Sequence, residues 1–146
     1  MIWKSSVSLD QLNNRNAGTI HETLGIQFTA IGEDYLEATM PVDERTRQPA
    51  GLLHGGASVV LAESLGSIAS RLVAGMDSSV CVGIEINASH LKAMRMGSVI
   101  GRVTPIRIGK SIHVWEIKIR DQQSPERQPE DAPLVCISRL TVMVKA

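Results

Sequence analysis

Glu63 sits alone in a helix-like run, Gly55 to Ser70, that holds no other charged residue. A carboxylate in an apolar helix is costly to bury unless it is paired or used. Ahead of it the chain reads Gln48-Pro49-Ala50-Gly51-Leu52-Leu53-His54-Gly55-Gly56. That is a side-chain amide in a mobile-looking loop, then an imidazole, then two glycines opening a helix. The first N–H groups of a helix have no partner inside it and lie at its positive end. Together these groups suit acyl transfer: donors polarise a carbonyl, and a carboxylate attacks it or activates water. Ser67, at i+4 from Glu63, adds a neighbouring hydroxyl that can hold a water or tune a nucleophile.

Each residue also has an ordinary reading. Glu63 reads as a capped or paired structural carboxylate, and His54 as a helix-start residue bonded to a loop. Gln48 reads as a solvated loop amide, and Gly55-Gly56 as a flexible helix entry. Helix arithmetic separates the two views. His54 precedes Glu63 by nine residues, about 13 Å along the axis and about half a turn around it. One helix therefore cannot bring both to a single carbonyl. Two antiparallel helices about a two-fold axis can, with His54 and Gly55 of one chain facing Glu63 and Ser67 of the other. The expectation is a homodimer with sites across its interface.

The elements that position these groups follow from periodicity. A modest helix is expected over Leu12–Leu24. Two strand-like runs, Ile26–Ile31 and Tyr35–Val42, flank a turn at Gly32-Glu33-Asp34. A long helix follows from about His54 to Ala74, ended by Gly75. Four further strands are expected over Ser79–Lys92, Ser98–Ile108, Ser111–Arg120 and Leu134–Val144. In the first of them Val80, Val82, Ile84 and Ile86 alternate against Cys81, Gly83, Glu85 and Asn87. The proline-rich, charged stretch 121–133 reads as a solvated, disordered hairpin excursion. One helix followed by consecutive antiparallel strands gives an α+β class and a hot-dog fold. One long central helix is wrapped by a curled antiparallel sheet of about six strands, a single domain over residues 1–146. On that helix, Val60, Leu61, Leu65, Ile68 and Leu72 share the core face. Glu63 lies opposite among Val59, Ala62, Gly66, Ser67 and Ser70, small residues that suggest close approach by another backbone or a ligand.

Composition narrows the partners. Lys+Arg and Asp+Glu are both 15, and aromatic residues make up 3%, so nucleic acid and anionic membrane are not expected. No uncharged apolar run reaches the roughly 18 residues of a membrane span, and no signal peptide is read at the N-terminus. The 2 cysteines, Cys81 and Cys136, fit reduced thiols of a cytoplasmic protein. The histidines His21, His54, His90 and His113 lack ligand spacing, so neither metal nor cofactor is expected. Cations cluster at Asn87–Arg95 and at Arg107-Gly109-Lys110-Ser111, either merely solvated or in contact with the phosphates of an extended ligand.

These residues resemble the hot-dog acyl-CoA thioesterases of the PaaI/4-hydroxybenzoyl-CoA thioesterase type. Within that family the chain is most similar to the branch of 1,4-dihydroxy-2-naphthoyl-CoA hydrolases and the aryl-carrier-protein thioesterase of siderophore synthesis. The likeness runs from Met1-Ile2-Trp3-Lys4 through Leu36–Asp43 and Leu52–Gly66 to Glu85-Ile86-Asn87-Ala88, His90 and Ser138-Arg139-Leu140-Thr141. It implies that Glu63 is the nucleophile or general base and that the Gly55 amide polarises the carbonyl. Gln48 and His54 would orient the thioester, and Ser67 would place the attacking water. It also implies coenzyme A contacts at Gly83, at His90, Leu91 and Lys92, and at Arg107, Gly109, Lys110 and Ser111, and a tetramer built of two dimers. The expected activity is hydrolysis of an aromatic acyl-CoA, 1,4-dihydroxy-2-naphthoyl-CoA of quinone synthesis first. A general or aryl-carrier-protein thioesterase is the nearest alternative. An enoyl-thioester hydratase or a non-catalytic acyl-CoA-binding module stands further off: the first needs a histidine beside the acid, and the second needs no buried Glu63.

Overall fold

The long helix lies where the apolar run put it. The structure, a computed structural model, describes residues 1–122 and 129–145. In chain order it holds α1 (Leu9–Asn14), α2 (Ile20–Leu24), β1 (Gln27–Ile31), β2 (Leu36–Pro41), α3 (Gly55–Ala74), β3 (Val80–His90), β4 (Ser98–Ile108), β5 (Ile112–Asp121) and β6 (Leu134–Lys145). The six strands form one antiparallel sheet in the order β1-β2-β4-β5-β6-β3. It curls around α3, which is the expected hot-dog arrangement. Leu61, Leu65 and Leu72 of α3 are fully buried in one cluster with Met40, Val103, Trp115, Ile117 and Leu140. Each such side chain contributes roughly 1.5–3 kcal/mol by leaving water.

Three expectations need correction. The single helix over Leu12–Leu24 is two short helices. Ser8 starts α1 with a reciprocal capping box to Gln11, and Thr19 caps α2. Between them Gly18 turns the chain at φ 72°, so local turn chemistry overrides a weak helical period. The buried arc of α3 is also wider and rotated from the expected face. Ala62, Gly66 and Ser70 are buried, whereas Val60 and Ile68 are half-exposed and pack against the edge of the cluster. Gly66 admits the sheet: a Cβ there would meet Leu140 Cδ2 at 2.5 Å.

The third correction concerns β3. Gly83 pairs with Val142 and Glu85 with Thr141, leaving Ile84 as the extra residue of a bulge. A bulge reverses which side chains face inward. Val80, Val82 and Ile84 are therefore 60%, 45% and 53% exposed, while Cys81 before the bulge and Ile86 and Ala88 after it pack on the core. The sheet's two outer edges differ as well. At β1 the Asn13 side chain donates to the Phe28 carbonyl (2.9 Å) and accepts from its N–H (2.8 Å). At β3 no described element pairs with the outer edge.

Residues 123–128 of the expected excursion lie outside the described residues. Its flanks do not: Asp121 ends β5, Pro129–Asp131 form a single 3-10 turn, and Ala132 is buried. By length and composition α3 is apolar enough to cross a membrane, yet half of it is buried within the fold. Cys81 and Cys136 are free thiols, and burial pushes both above the ordinary thiol range.

One buried polar chain ties α3 to β5. Trp115 Nε1–H donates to Ser70 Oγ (2.7 Å), which lies 3.0 Å from His113 Nδ1. Burial holds the His113 imidazole below its usual range, and its hydrogen bond to the Gly109 backbone works the other way. A histidine with a lowered folded pKa takes its proton first in the unfolded chain. Its stabilising effect is thus complete above the unfolded value of about 6.5 and lost as pH falls below it. Tm should therefore drop between about pH 7 and pH 5, and His113→Gln should flatten that slope. If the slope persists unchanged, the loss belongs elsewhere, with His21, also lowered by burial, the next group to replace.

Candidate active site

The segment leading into α3 is tied down by hydrogen bonds. Thr46, 2% exposed, donates its hydroxyl to the Pro41 carbonyl at 2.7 Å. His54 N–H bonds the Thr46 carbonyl, and Leu53 N–H bonds the Met94 carbonyl, both at 2.8 Å. A tight turn joins Gln48 N–H to the Leu52 carbonyl (2.8 Å) and Gly51 N–H to the Gln48 carbonyl (2.9 Å). Gly51 closes it at φ 83°, where glycine is favoured. The Gln48 side-chain oxygen accepts from Ala50 N–H, so its NH2 group is the part left to donate.

His54 is the N-cap of α3. Its Nδ1 accepts from Gly56 N–H at 2.7 Å, which leaves the ring proton on Nε2. The His54 carbonyl takes the N–H groups of Ala57 (3.0 Å) and Ser58 (3.3 Å). Gly55 N–H has no partner among the described residues, and it opens on a cleft of about 380 Å³ shared with Gln48, Ser58 and His90. The structural reading of His54 and the chemical reading of Gly55 thus describe one device. The imidazole satisfies one orphan donor and leaves the neighbouring one free at the positive end of a 20-residue helix.

His90, the last residue of β3, stands against that donor. A Cβ on Gly55 would meet His90 Nε2 at 2.7 Å, so only glycine leaves the ring its place. Leu91 and Lys92 line the same cleft, but Lys92 is already engaged, its Nζ 2.7 Å from Asp121 Oδ2. Further along α3, Glu63 is half-buried and has neither hydrogen bond nor ion pair among the described residues. Its carboxylate lies over Gly83 of β3, where a Cβ would sit 2.6 Å from Oε1. Ser67, one turn on, is likewise half-buried. Both lie on the stripe of α3 that the sheet leaves open, beside the unpaired edge of β3.

The structure divides the expected site residues into three groups. Gln48, His54, Gly55, His90, Leu91 and Lys92 gather at the start of α3. Glu63, Ser67 and Gly83 form a second group partway along it. Gly109, Lys110 and Ser111 line a separate cavity of about 540 Å³ beside the last residues of α3, with Arg107 on the same hairpin. The first and last groups are about 30 Å apart along a 20-residue helix, so one chain does not unite them. Gly83 and His90, expected against coenzyme A, lie beside Glu63 and Gly55. The sequence assigned Ser58 no role, yet it is 1% exposed and lines the cleft. The available signal was a hydroxyl at the fourth helical position, where an apolar staple residue is usual. No cluster of metal-ligating side chains occurs among the described residues.

The amino-acid sequence matches the family described as the Thioesterase superfamily over residues 50–127. A protein of Escherichia coli named 1,4-dihydroxy-2-naphthoyl-CoA hydrolase is 49% identical, the match covering 99% of each chain. The proofreading thioesterase EntH of Cronobacter turicensis is 48% identical over 99% of this chain and 98% of its own. A crystal structure of a thioesterase from Haemophilus influenzae superposes with a TM-score of 0.90 at 46% identity, over 99% of this chain and 95% of that one.

Proposed function

The chain belongs to the Thioesterase superfamily with its hot-dog fold and is an acyl-CoA thioester hydrolase; from that premise we propose that its substrate is an aromatic acyl-CoA, 1,4-dihydroxy-2-naphthoyl-CoA first. The free Gly55 N–H at the start of α3 carries the mechanism. The thioester oxygen docks there, with the Gln48 NH2 and His54 Nε2–H as further donors. Glu63 attacks the carbonyl carbon or takes a proton from the attacking water, which Ser67 holds. When Glu63 attacks, the C–S bond breaks to leave a glutamyl anhydride that the water then hydrolyses; when Glu63 acts as the base, the water adds to the carbonyl directly and the C–S bond breaks as the adduct collapses. In both branches the carboxylic acid departs and the proton given up by water leaves with coenzyme A as its thiol. Negative charge gathers on the oxygen at the helix N-terminus, where the dipole favours it.

We further propose that each site is completed by a second copy. Gly55 and Glu63 of one chain lie about 12 Å apart along one axis, too far for one carbonyl. The open stripe of α3, with Val59, Val60, Glu63, Ser67 and Ile68 half-buried, and the unpaired β3 edge support antiparallel helix packing in a dimer. Antiparallel packing would also set the Lys110 hairpin of one copy near the cleft of the other. A tetramer of two such dimers is the assembly we expect. Two free thiols support a cytoplasmic setting.

The substrate reading draws on relatives named for a naphthoyl-CoA hydrolase and for a proofreading thioesterase. Thiol release from a panel of acyl-CoAs tests it. Naphthoyl- and benzoyl-type thioesters should exceed hexanoyl-CoA in kcat/KM by roughly 10–200-fold, the value of burying a ring in an apolar pocket. Equal or better turnover of hexanoyl-CoA would mean a general acyl thioesterase. A dihydroxybenzoyl group offered on an aryl carrier protein, in parallel with its coenzyme A thioester, separates the two carriers.

A further inference from the structure

Ser58 carries a hydroxyl that the fold does not use. Four serines are buried among the described residues: Ser58, Ser64, Ser70 and Ser138. Ser64 donates to the Val60 carbonyl at 2.6 Å, Ser138 donates to the Asn87 carbonyl at 2.8 Å, and Ser70 holds His113 and Trp115. Ser58 Oγ has no partner among the described residues. Every fully enclosed side-chain nitrogen or oxygen among those residues does have one. The hydroxyl of Ser58 therefore keeps its slight exposure, and the cleft it lines with Gly55, Gln48 and His90 is where that exposure opens.

Its position on α3 is unusual. Counting from the His54 cap, Ser58 is the fourth helical residue. That position commonly holds an apolar side chain packed against the residue before the cap. Here that residue is Leu53, which lines the same cleft. Helical side chains lean toward the N-terminus and lie over the preceding turn, so the Ser58 hydroxyl leans over Gly55. An alanine would fill the place without burying an unused donor.

We propose that Ser58 Oγ–H is a further donor to the thioester oxygen, on the helix side beside the Gly55 N–H, and stabilises the charge that collects there during attack. The proposal rests on the reading of Gly55 as the carbonyl-polarising group. No proton changes hands; the hydroxyl donates a hydrogen bond that strengthens as the oxygen becomes negative.

Ser58→Ala and the near-isosteric Ser58→Cys, measured beside wild type and Glu63→Gln on naphthoyl-CoA, test it. In both Ser58 variants kcat should fall roughly 10²-fold with KM within about threefold, as for loss of a donor used in the transition state. Tm should stay level or rise, because no native hydrogen bond is lost. Retention of kcat within about twofold in both variants would overturn the proposal, as would a raised KM with kcat intact. A lowered Tm in both variants with kcat retained would make Ser58 a structural residue. If wild type released no thiol from any thioester, the reading of Gly55 would fall first, and the Ser58 role with it.

Discussion

Glu63→Gln should lower kcat by at least ~10³-fold while KM stays within about tenfold. Glutamine keeps the shape of the side chain and its place over Gly83, and removes only the charge and the basic oxygen. The loss therefore falls on the transition state. Near-wild-type turnover by this variant would remove Glu63 from the chemistry. The same variant examines the two-chain geometry when mixed with His54→Ala chains, provided both are deeply impaired alone. In a site built across a dimer, each heterodimer holds one doubly damaged and one intact site. Random mixing makes half the dimers heterodimeric, so roughly a quarter of wild-type activity should return. No recovery, with heterodimers seen by mass spectrometry, would confine the site to one chain.

Gly83→Ala should cost activity by about 10²-fold, because misplacing a reacting group by about 1 Å has effects of that order. The new methyl would lie 2.6 Å from Glu63 Oε1, and the carboxylate, at the end of a flexible side chain, is what must move. The fold itself is little troubled: the next atom, Leu140 Cδ1, is 3.5 Å away. Tm should accordingly change little while kcat falls. Glu63→Asp withdraws the carboxylate by one methylene and makes room for the methyl. The double variant should thus be less impaired than the product of its two single losses. A Gly83→Ala protein with full activity would show that the carboxylate works from elsewhere.

Local signals were legible in the residues. Gly75 stops α3, and the alternation of Trp115, Ile117 and Ile119 in β5 set its inner face. The isolation of Glu63 and the Gly-Gly helix opening are legible for the same reason, since each is a departure from what a buried helix requires. What failed depends on contacts distant in sequence. The bulge at Ile84 exists only in relation to β6, so the alternation in β3 predicted the wrong face for Val80, Val82 and Ile84. Helical period gives the direction of a core face but not how far a sheet wraps, which is why Ala62, Gly66 and Ser70 are fully covered while Val60 and Ile68 pack only against the margin of the core. His90 beside Gly55 depends on where the end of a strand meets the start of a helix, and no spacing encodes it.

Val80 to Ile84 also bears on how the chain survives its own synthesis. The stretch Val-Cys-Val-Gly-Ile has no charge and no proline, and it forms half of an extended edge with open N–H and C=O groups. Proteins ordinarily guard such an edge with lysine, proline or a covering loop. Here Asn13 guards the opposite border, and no described element pairs with this one. In the dimer proposed above, a newly made chain would enter a race between docking with a matching copy and adding to whatever strand it meets first. Docking is faster at high local concentration of finished chains, and random addition is faster in a crowd of unfinished ones. Yield of active protein should then be governed by how quickly copies find each other, more than by how firmly each holds its core.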